Sequence, residues 1–174
     1  MLCLQKSHLL NSRRDLVSKL NFYKNVNEVS SINFLNLNFS ELKNKPSVIL
    51  GLGFLYLLAN KKGKVSSISR SSFSKNMNCN LRLKKNEALN FIEKFLLLNL
   101  KNILDLEEGF SKKNFSETGT FSFTIKDIYT FSELEDNLFK FRTLKNLNIS
   151  ISFTSQNKYE NMRLLQSLGF VFKN

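Results

Sequence analysis

The chain has little of several residue types on which most enzymes and metal proteins depend. It contains one histidine, His8, two cysteines, Cys3 and Cys79, no tryptophan, and a single proline. The cysteines are far apart and neither belongs to a Cys-x-x-Cys pair, which argues against a disulfide framework and a zinc site and fits a reducing compartment. One histidine near the N-terminus gives no basis for a catalytic triad or a histidine metal site.

Phosphate-binding and acid–base motifs are incomplete as well. Gly51 and Gly53 are spaced like the start of a dinucleotide-binding turn, but Tyr56 stands where the third glycine belongs and no Walker lysine follows. Glu107 and Glu108 are neighbours, and adjacency alone does not make one an acid and the other a base. The sequence therefore predicts a protein that is not an enzyme and that needs no metal or cofactor.

Long apolar runs, repeats and linkers are also absent. The longest apolar run, Val48–Ala59, is shorter than the roughly 18 residues of a membrane-spanning helix, so it predicts a buried core helix and no membrane span. The basic N-terminus lacks the apolar core of a secretory signal. No Gly/Ser/Pro-rich stretch divides the chain, so we expect one domain over 1–174, with flexible residues 1–13.

Acidic residues are scarce in the first half of the chain, which carries a formal net charge of +12. Residues 1–87 hold 15 Lys/Arg against four Asp/Glu, whereas residues 88–174 hold 11 against 10. Between residues 60 and 86 there are eight basic side chains and no acidic one: Lys61, Lys62, Lys64, Arg70, Lys75, Arg82, Lys84 and Lys85. A block with a single charge sign favours phosphate contacts over a merely solvated surface.

The segment 60–78 has the composition of an RNA-binding loop. It contains Gly63, many serines and no sustained period, which predicts a basic loop or a loose hairpin. Ser66 and the serines after it can donate hydrogen bonds to phosphate or 2′-hydroxyl oxygens. Phe73 is its single aromatic residue, so we expect recognition of RNA shape and backbone rather than base stacking. Membrane-surface and DNA-binding segments share this composition.

Helical spacing of apolar residues and capping signals predict four helices. Asn86 is the predicted N-cap of the longest, and Asn157 with Glu160 resembles a capping box before the last, which Gly169 ends. The predicted helices are Arg14–Phe22, Ser47–Asn60, Glu87–Leu106 and Lys158–Leu168.

Period-two alternation predicts strands with one buried and one polar face. The strands are Ile32–Phe39, whose phase changes between Phe34 and Leu35 as at a β-bulge, Cys79–Leu83, Gly119–Phe131 and Leu147–Phe153. Such strands are typical of an antiparallel sheet, and they do not alternate regularly with helices. We therefore predict an α+β fold with an antiparallel sheet and helices packed on one face. The polar face is predicted to carry Ser122, Thr124, Ser150 and Ser152.

Several of these segments resemble the ribosomal protein L-five family of the large subunit. Cys79–Lys84 is similar to the family pattern C-K-V-T-L-R, Phe91–Phe95 to F-[FL]-[ED]-R-L, and Gly109–Phe123 to G-L-S-x-K-S-F-D-G-R-G-N-Y-S-x-G. The same collinear order includes Asn21–Phe39, Lys62–Ser71, Phe131–Leu134, Leu147–Thr154 and Arg163–Phe172. The resemblance thus extends over most of the chain.

The resemblance implies a protein of the central protuberance that binds 5S ribosomal RNA or other large-subunit ribosomal RNA. It also implies contacts with neighbouring large-subunit proteins, with a small-subunit head protein and, through an extended loop, with peptidyl-site transfer RNA. It places Asn38 and Lys84 close to the RNA. Together with the basic block, it predicts the RNA-binding residues Asn38, Lys61, Lys62, Lys64, Ser66, Arg70, Lys75, Arg82, Lys84 and Lys85.

Departures from the family patterns point to an organellar ribosome. The loop that the family uses to contact transfer RNA is shortened to Phe73–Asn78, which weighs against that contact. Leu106–Gly109 lacks the basic residues of the family pattern, and Ser132 replaces its proline. The bias towards Asn, Lys, Phe and Ile is typical of an AT-rich coding sequence. We therefore predict a mitochondrial protein, with another organelle or the cytoplasm as the alternative. A free-standing RNA-binding regulator and a peripheral membrane protein are the competing functions.

Overall fold

The computed structural model describes residues 30–42, 44–67, 77–99, 109–131, 134 and 137–173. Several predictions lie outside these ranges: the flexible residues 1–13, the helix Arg14–Phe22, and the positions of Arg70 and Lys75.

Five strands form a single antiparallel sheet in the order β2-β3-β1-β5-β4. The strands are β1 (Ile32–Leu42), β2 (Lys64–Ser67), β3 (Met77–Lys84), β4 (Phe121–Ile125) and β5 (Leu147–Phe153). The helices of the described ranges are α1 (Lys45–Ala59), α2 (Lys85–Asn99), α3 (Leu138–Phe141) and α4 (Lys158–Leu168), and 3-10 turns occupy Lys112–Asn114 and Ile128–Thr130. The predicted α+β class with an antiparallel sheet is confirmed.

Alternating apolar residues place the core on one face of the sheet. In β5, Leu147, Ile149, Ile151 and Phe153 are all buried, as the period-two pattern predicts. Central strand β1 joins this face through Leu37, which pairs with Leu81 of β3 on one side and Ile149 of β5 on the other. The helices cover this face, because apolar side chains on both layers can leave water only against each other.

Phenylalanine rings lock α1 and α3 onto this core. Phe54 of α1 meets Phe39, Phe131 and Phe141 edge to face, with ring centroids 5.3, 5.7 and 5.4 Å away. Such T-shaped pairs add to area burial because the positive ring edge faces the negative ring face. The high Phe content thus serves the core.

Strand boundaries differ from the prediction at three points. One irregularity in β1 lies between Ile32 and Phe34, just before the predicted bulge, and another lies between Phe39 and Leu42, where the strand continues past its predicted end. Strand β3 begins at Met77 rather than at Cys79, and Met77–Asn80 pair antiparallel with Lys64–Ser67 of β2, as a loose hairpin would require of these described residues. Strand β4 ends at Ile125 rather than at Phe131, because Asp127 accepts a hydrogen bond from the Tyr129 amide and starts a 3-10 turn.

Two helix predictions are also corrected. Helix α2 begins at Lys85, so Asn86 is not its N-cap; the Glu87 carboxylate instead accepts a hydrogen bond from the Lys84 amide at 3.2 Å. Residues of the predicted helix beyond Asn99 lie outside the described ranges. Helix α1 is buried on one face only, since Ile49 is 70% exposed. The apolar run Val48–Ala59 predicts a fully buried core helix, so this prediction is corrected.

A buried amide ties the last helix to the sheet. Asn161 of α4 is fully buried; its Nδ2 donates to the carbonyls of Gly119 and Ser155, and its Oδ1 accepts from Ser30 Oγ. These bonds join the residues before β1, before β4 and before α4 at one point. The predicted cap Asn157 and the left-handed stop Gly169 are both confirmed.

The register predicts opposite responses at two neighbouring positions of β5. Ile151→Asp buries an unpaired charge in the core, since Ile151 is 1% exposed, and should cost roughly 4 kcal/mol of unfolding free energy or more. Ser150→Asp changes the polar face and should cost less than about 1 kcal/mol. Thermal melts compare the two, and a larger loss for Ser150→Asp would mean that the strand is inverted.

Gly119 should not tolerate a side chain. Its φ is +76°, and an added Cβ would lie 2.8 Å from both Asn161 Nδ2 and the Gln156 carbonyl oxygen. Gly119→Ala should therefore lower the unfolding free energy by about 1–3 kcal/mol or more. Gly53→Ala is the matched control, because its Cβ meets only a Phe141 ring atom at 3.9 Å and alanine favours the helix. A denaturant titration should show a loss for the first and no loss for the second.

Candidate RNA-binding surface

The second face of the sheet, which we call the open face, is polar except for Phe34. Cross-strand pairing sets Lys64, Asn80, Asn38, Asn148 and Thr124 side by side in one row across all five strands. The row contains no apolar side chain. Because the helices pack on the opposite face, no described helix covers it.

A second and a third row continue this surface. Arg82, Asn36, Ser150 and Ser122 form the second row, and Lys84, Phe34 and Ser152 form the third. Arg82 joins the two rows, because its guanidinium lies 4.2 Å above the Phe34 ring and its Nε donates to Asn36 Oδ1 at 3.1 Å. The stack holds a flat cation in place on the open face.

Charge is unevenly distributed over the open face. Lys64, Arg82 and Lys84 lie on β2 and β3, and all three are exposed. The described open-face residues of β5 and β4 are neutral Asn, Ser and Thr. A polyanion therefore has a cationic edge for its phosphates, followed by a surface of neutral hydrogen-bonding groups.

Hydrogen bonds hold several of the neutral side chains in fixed orientations. Thr124 Oγ1 donates to Asn148 Oδ1 at 2.7 Å, and Asn148 Nδ2 donates to Ser40 Oγ at 3.4 Å. At the other edge, Asn80 Nδ2 donates to Ser66 Oγ at 2.8 Å. Groups that are already oriented lose less conformational entropy when a ligand binds.

Asn38, at the centre of the first row, has no such partner for its buried amide oxygen, Oδ1, among the described residues. A buried acceptor without a donor costs about 1–3 kcal/mol, so an orphan of this kind calls for an explanation. A ribose hydroxyl or a base amino group would satisfy this acceptor if it reached the atom.

The structure divides the predicted site residues into three groups. Asn38, Lys64, Ser66, Arg82 and Lys84 share the open face. The remaining residues are either outside the described ranges, as Arg70 and Lys75 are, or away from the rows, as Lys61, Lys62 and Lys85 are.

Lys61 has a different environment from the other predicted cations. It precedes β2, and its Nζ lies 2.6 Å from Glu87 Oε2 at the start of α2. The hydrogen bond from Lys61, followed by that from the Lys84 amide, lowers the pKa of the Glu87 carboxyl below its usual value. The Lys61 ammonium is therefore engaged by a carboxylate, which leaves it less available to a phosphate than an unpaired lysine.

Sequence reasoning missed four members of the surface: Phe34, Asn36, Asn80 and Asn148. The spacing of Asn36 and Asn38 in one phase of β1 is a signal that could have found the first amide. Asn80 and Asn148 could not be assigned, because their places depend on the pairing of strands far apart in sequence.

Other kinds of site find no support in the described ranges. No group of three His, Cys, Asp or Glu residues there is placed to hold a metal ion. None of the helices described above has both the length and the apolar character needed to cross a bilayer.

Known proteins resemble the chain over nearly its whole length. The large ribosomal subunit protein uL5 of Cupriavidus metallidurans is 27% identical over 161 residues, covering 87% of this chain and 88% of the relative. The uL5 protein of Buchnera aphidicola is 25% identical over 183 residues, covering 91% and 99%. The uL5 protein of Francisella philomiragia is 26% identical over 167 residues, covering 91% of each.

A family model gives the firmer assignment. Residues 76–172, more than half of the chain, match the model of the C-terminus of the ribosomal L-five family, and these residues include β3, β4, β5 and the helices α2, α3 and α4. The chain therefore belongs to the ribosomal L-five family.

Proposed function

We propose that the chain is a structural protein of the large ribosomal subunit that binds ribosomal RNA with the open face of its sheet. Its bacterial relatives are named as large-subunit proteins, which supports the assembly. The observation that carries RNA binding is the five-strand polar row with an unsatisfied Asn38 Oδ1 at its centre. In the free protein, a buried acceptor without a donor only lowers stability. In a complex, a donor from the ligand can form the missing hydrogen bond.

The geometry favours recognition of RNA backbone and shape. Phosphates lie along the cationic edge at Lys64, Arg82 and Lys84, and ribose hydroxyls or base edges meet the neutral amides and hydroxyls beyond it. The Phe34 ring is already covered by the Arg82 guanidinium, which limits its use as a platform for a stacked base. Arg82 itself offers a flat cation to a base or a phosphate.

The proposal includes the finer expectations from the family resemblance. The RNA is 5S ribosomal RNA or large-subunit RNA of the central protuberance, and the protein neighbours are large-subunit proteins and a small-subunit head protein. Contact with peptidyl-site transfer RNA is not part of the proposal, because Phe73–Asn78 is short. The mitochondrial location stays a prediction, supported by the AT-rich coding bias, while the three relatives are bacterial.

Removing the orphan acceptor should separate binding from stability. Asn38→Leu deletes an unsatisfied buried group, so the melting temperature of the free protein should hold or rise. Binding of bacterial 5S ribosomal RNA should weaken about 10-fold, which corresponds to the loss of one good hydrogen bond. Gln166→Leu, which removes an exposed amide from α4, is the control and should leave RNA binding unchanged. Equal binding by Asn38→Leu and the parent would contradict the role of Asn38.

The cationic edge should govern the salt dependence of binding. A triple variant of Lys64, Arg82 and Lys84 to Gln should reduce the slope of log affinity against log salt by about one unit for each lost phosphate contact. The control removes the same charge from the helix layer, at Lys94, Lys140 and Arg163. If both triple variants change the slope equally, the chain binds RNA through its net charge and not through the open face.

Sedimentation tests the assembly against the alternative of a free-standing RNA-binding regulator. A tagged chain expressed in its own host should co-migrate with large subunits at moderate salt, and the open-face triple variant should shift towards the top of the gradient. Migration of the parent chain away from subunits, with RNA binding intact, would favour the regulator.

A further inference from the structure

The left-handed backbone positions of the chain contain one unexpected residue. Six described residues have positive φ, and three of them are glycines and two are asparagines, Asn60 and Asn146. The sixth is Lys85, with φ 38°. Glycine has no Cβ to clash in this region and asparagine tolerates it, whereas a long side chain such as lysine is strained there.

The fold explains the backbone conformation at Lys85 but not the lysine. Strand β3 ends at Lys84 and α2 begins at Lys85, so no linker residue separates them. The Glu87 carboxylate holds the Lys84 amide at 3.2 Å, which fixes the turn. Glycine or asparagine at position 85 makes the same turn with less strain. Selection for folding alone therefore favours a different residue.

The location of Lys85 supplies the missing reason. It is exposed, and it directly follows Lys84 of the third row, at the junction of β3 and α2. Lys61 is held by Glu87, whereas the ion pair found within the described ranges does not include Lys85. Lys85 thus adds a positive charge next to Lys84, where β3 passes into α2.

We propose that Lys85 is an anchoring residue that binds an RNA phosphate at this corner and is retained although it destabilises the free protein. The inference rests on the proposed RNA-binding function. It adds that the lysine at position 85 strengthens RNA binding and lowers the stability of the free protein. Strained backbone positions commonly coincide with functional contacts, since only a gain outside the fold offsets their cost.

The test replaces Lys85 by Asn, Gly and Arg in the full chain. Lys85→Asn and Lys85→Gly should raise the melting temperature by about 2–4 °C, as expected when mild backbone strain is removed from a chain of this size. Both should weaken binding of bacterial 5S ribosomal RNA and lower the salt slope by about one unit. Lys85→Arg should retain the affinity and the melting temperature of the parent, because it keeps the charge and the strain.

Two controls separate this inference from the proposed function. Lys84→Asn removes the neighbouring charge at an extended position, so it should weaken binding without raising the melting temperature. Asn146→Lys creates a second left-handed lysine and should lower the melting temperature with binding unchanged. If Lys84→Asn weakens binding and Lys85→Asn does not, the anchoring role of Lys85 is wrong and the proposed RNA-binding function still stands. If neither weakens binding, RNA recognition at this edge is overturned too. An unchanged melting temperature in Lys85→Asn would refute the opposition between stability and binding.

Discussion

The register of the central strand β1 is the constraint on which the rest of the structure depends. Its Leu37 lies between Leu81 and Ile149, and the next residue, Asn38, lies between Asn80 and Asn148. The core and the polar rows are therefore set by the same pairing. A slip of one residue would exchange the two faces, because side chains alternate along a strand. The apolar face resists that slip, and in doing so it holds the candidate RNA-binding groups in line.

Solvation explains why charge and neutral polarity occupy different parts of the open face. Lys64, Arg82 and Lys84 belong to β2 and β3, where they are exposed and keep their hydration in the free protein. Towards the centre, Asn38 is half-buried, and an ionised side chain at that place would be much more costly than an amide. The open face therefore has its charges at the exposed edge and neutral groups at the half-buried centre. This arrangement keeps the cost of desolvating charge low in the free protein, and it still offers a polyanion both ionic contacts and neutral hydrogen bonds.

Local patterns predicted which elements form but not all of their bounds, and they predicted only part of the surface. The alternation of β5 and the caps of α4 could be predicted because each depends on residues a few positions apart. The pairing of Lys61 with Glu87 joins residues 26 positions apart, and no local signal reports it. The start of α2 was misplaced for a related reason, since lysine is an unexpected residue at a left-handed turn. In the sequence the basic residues form one acid-free block. In the fold, Lys64, Arg82 and Lys84 lie on the open face, whereas Lys61 pairs with Glu87.

Two residues of the surface destabilise the free chain by different physical means. Asn38 leaves a buried acceptor without a donor, and Lys85 places a lysine in a left-handed conformation. Both penalties exist before RNA binds, and a donor at Asn38 and a phosphate at Lys85 would offset them only in the complex. A ligand that binds only the folded state raises stability by mass action, and here it would also remove an internal cost. On this proposal the chain is more stable in its RNA complex than when free, which favours a ribosomal component over a regulator that must be stable on its own.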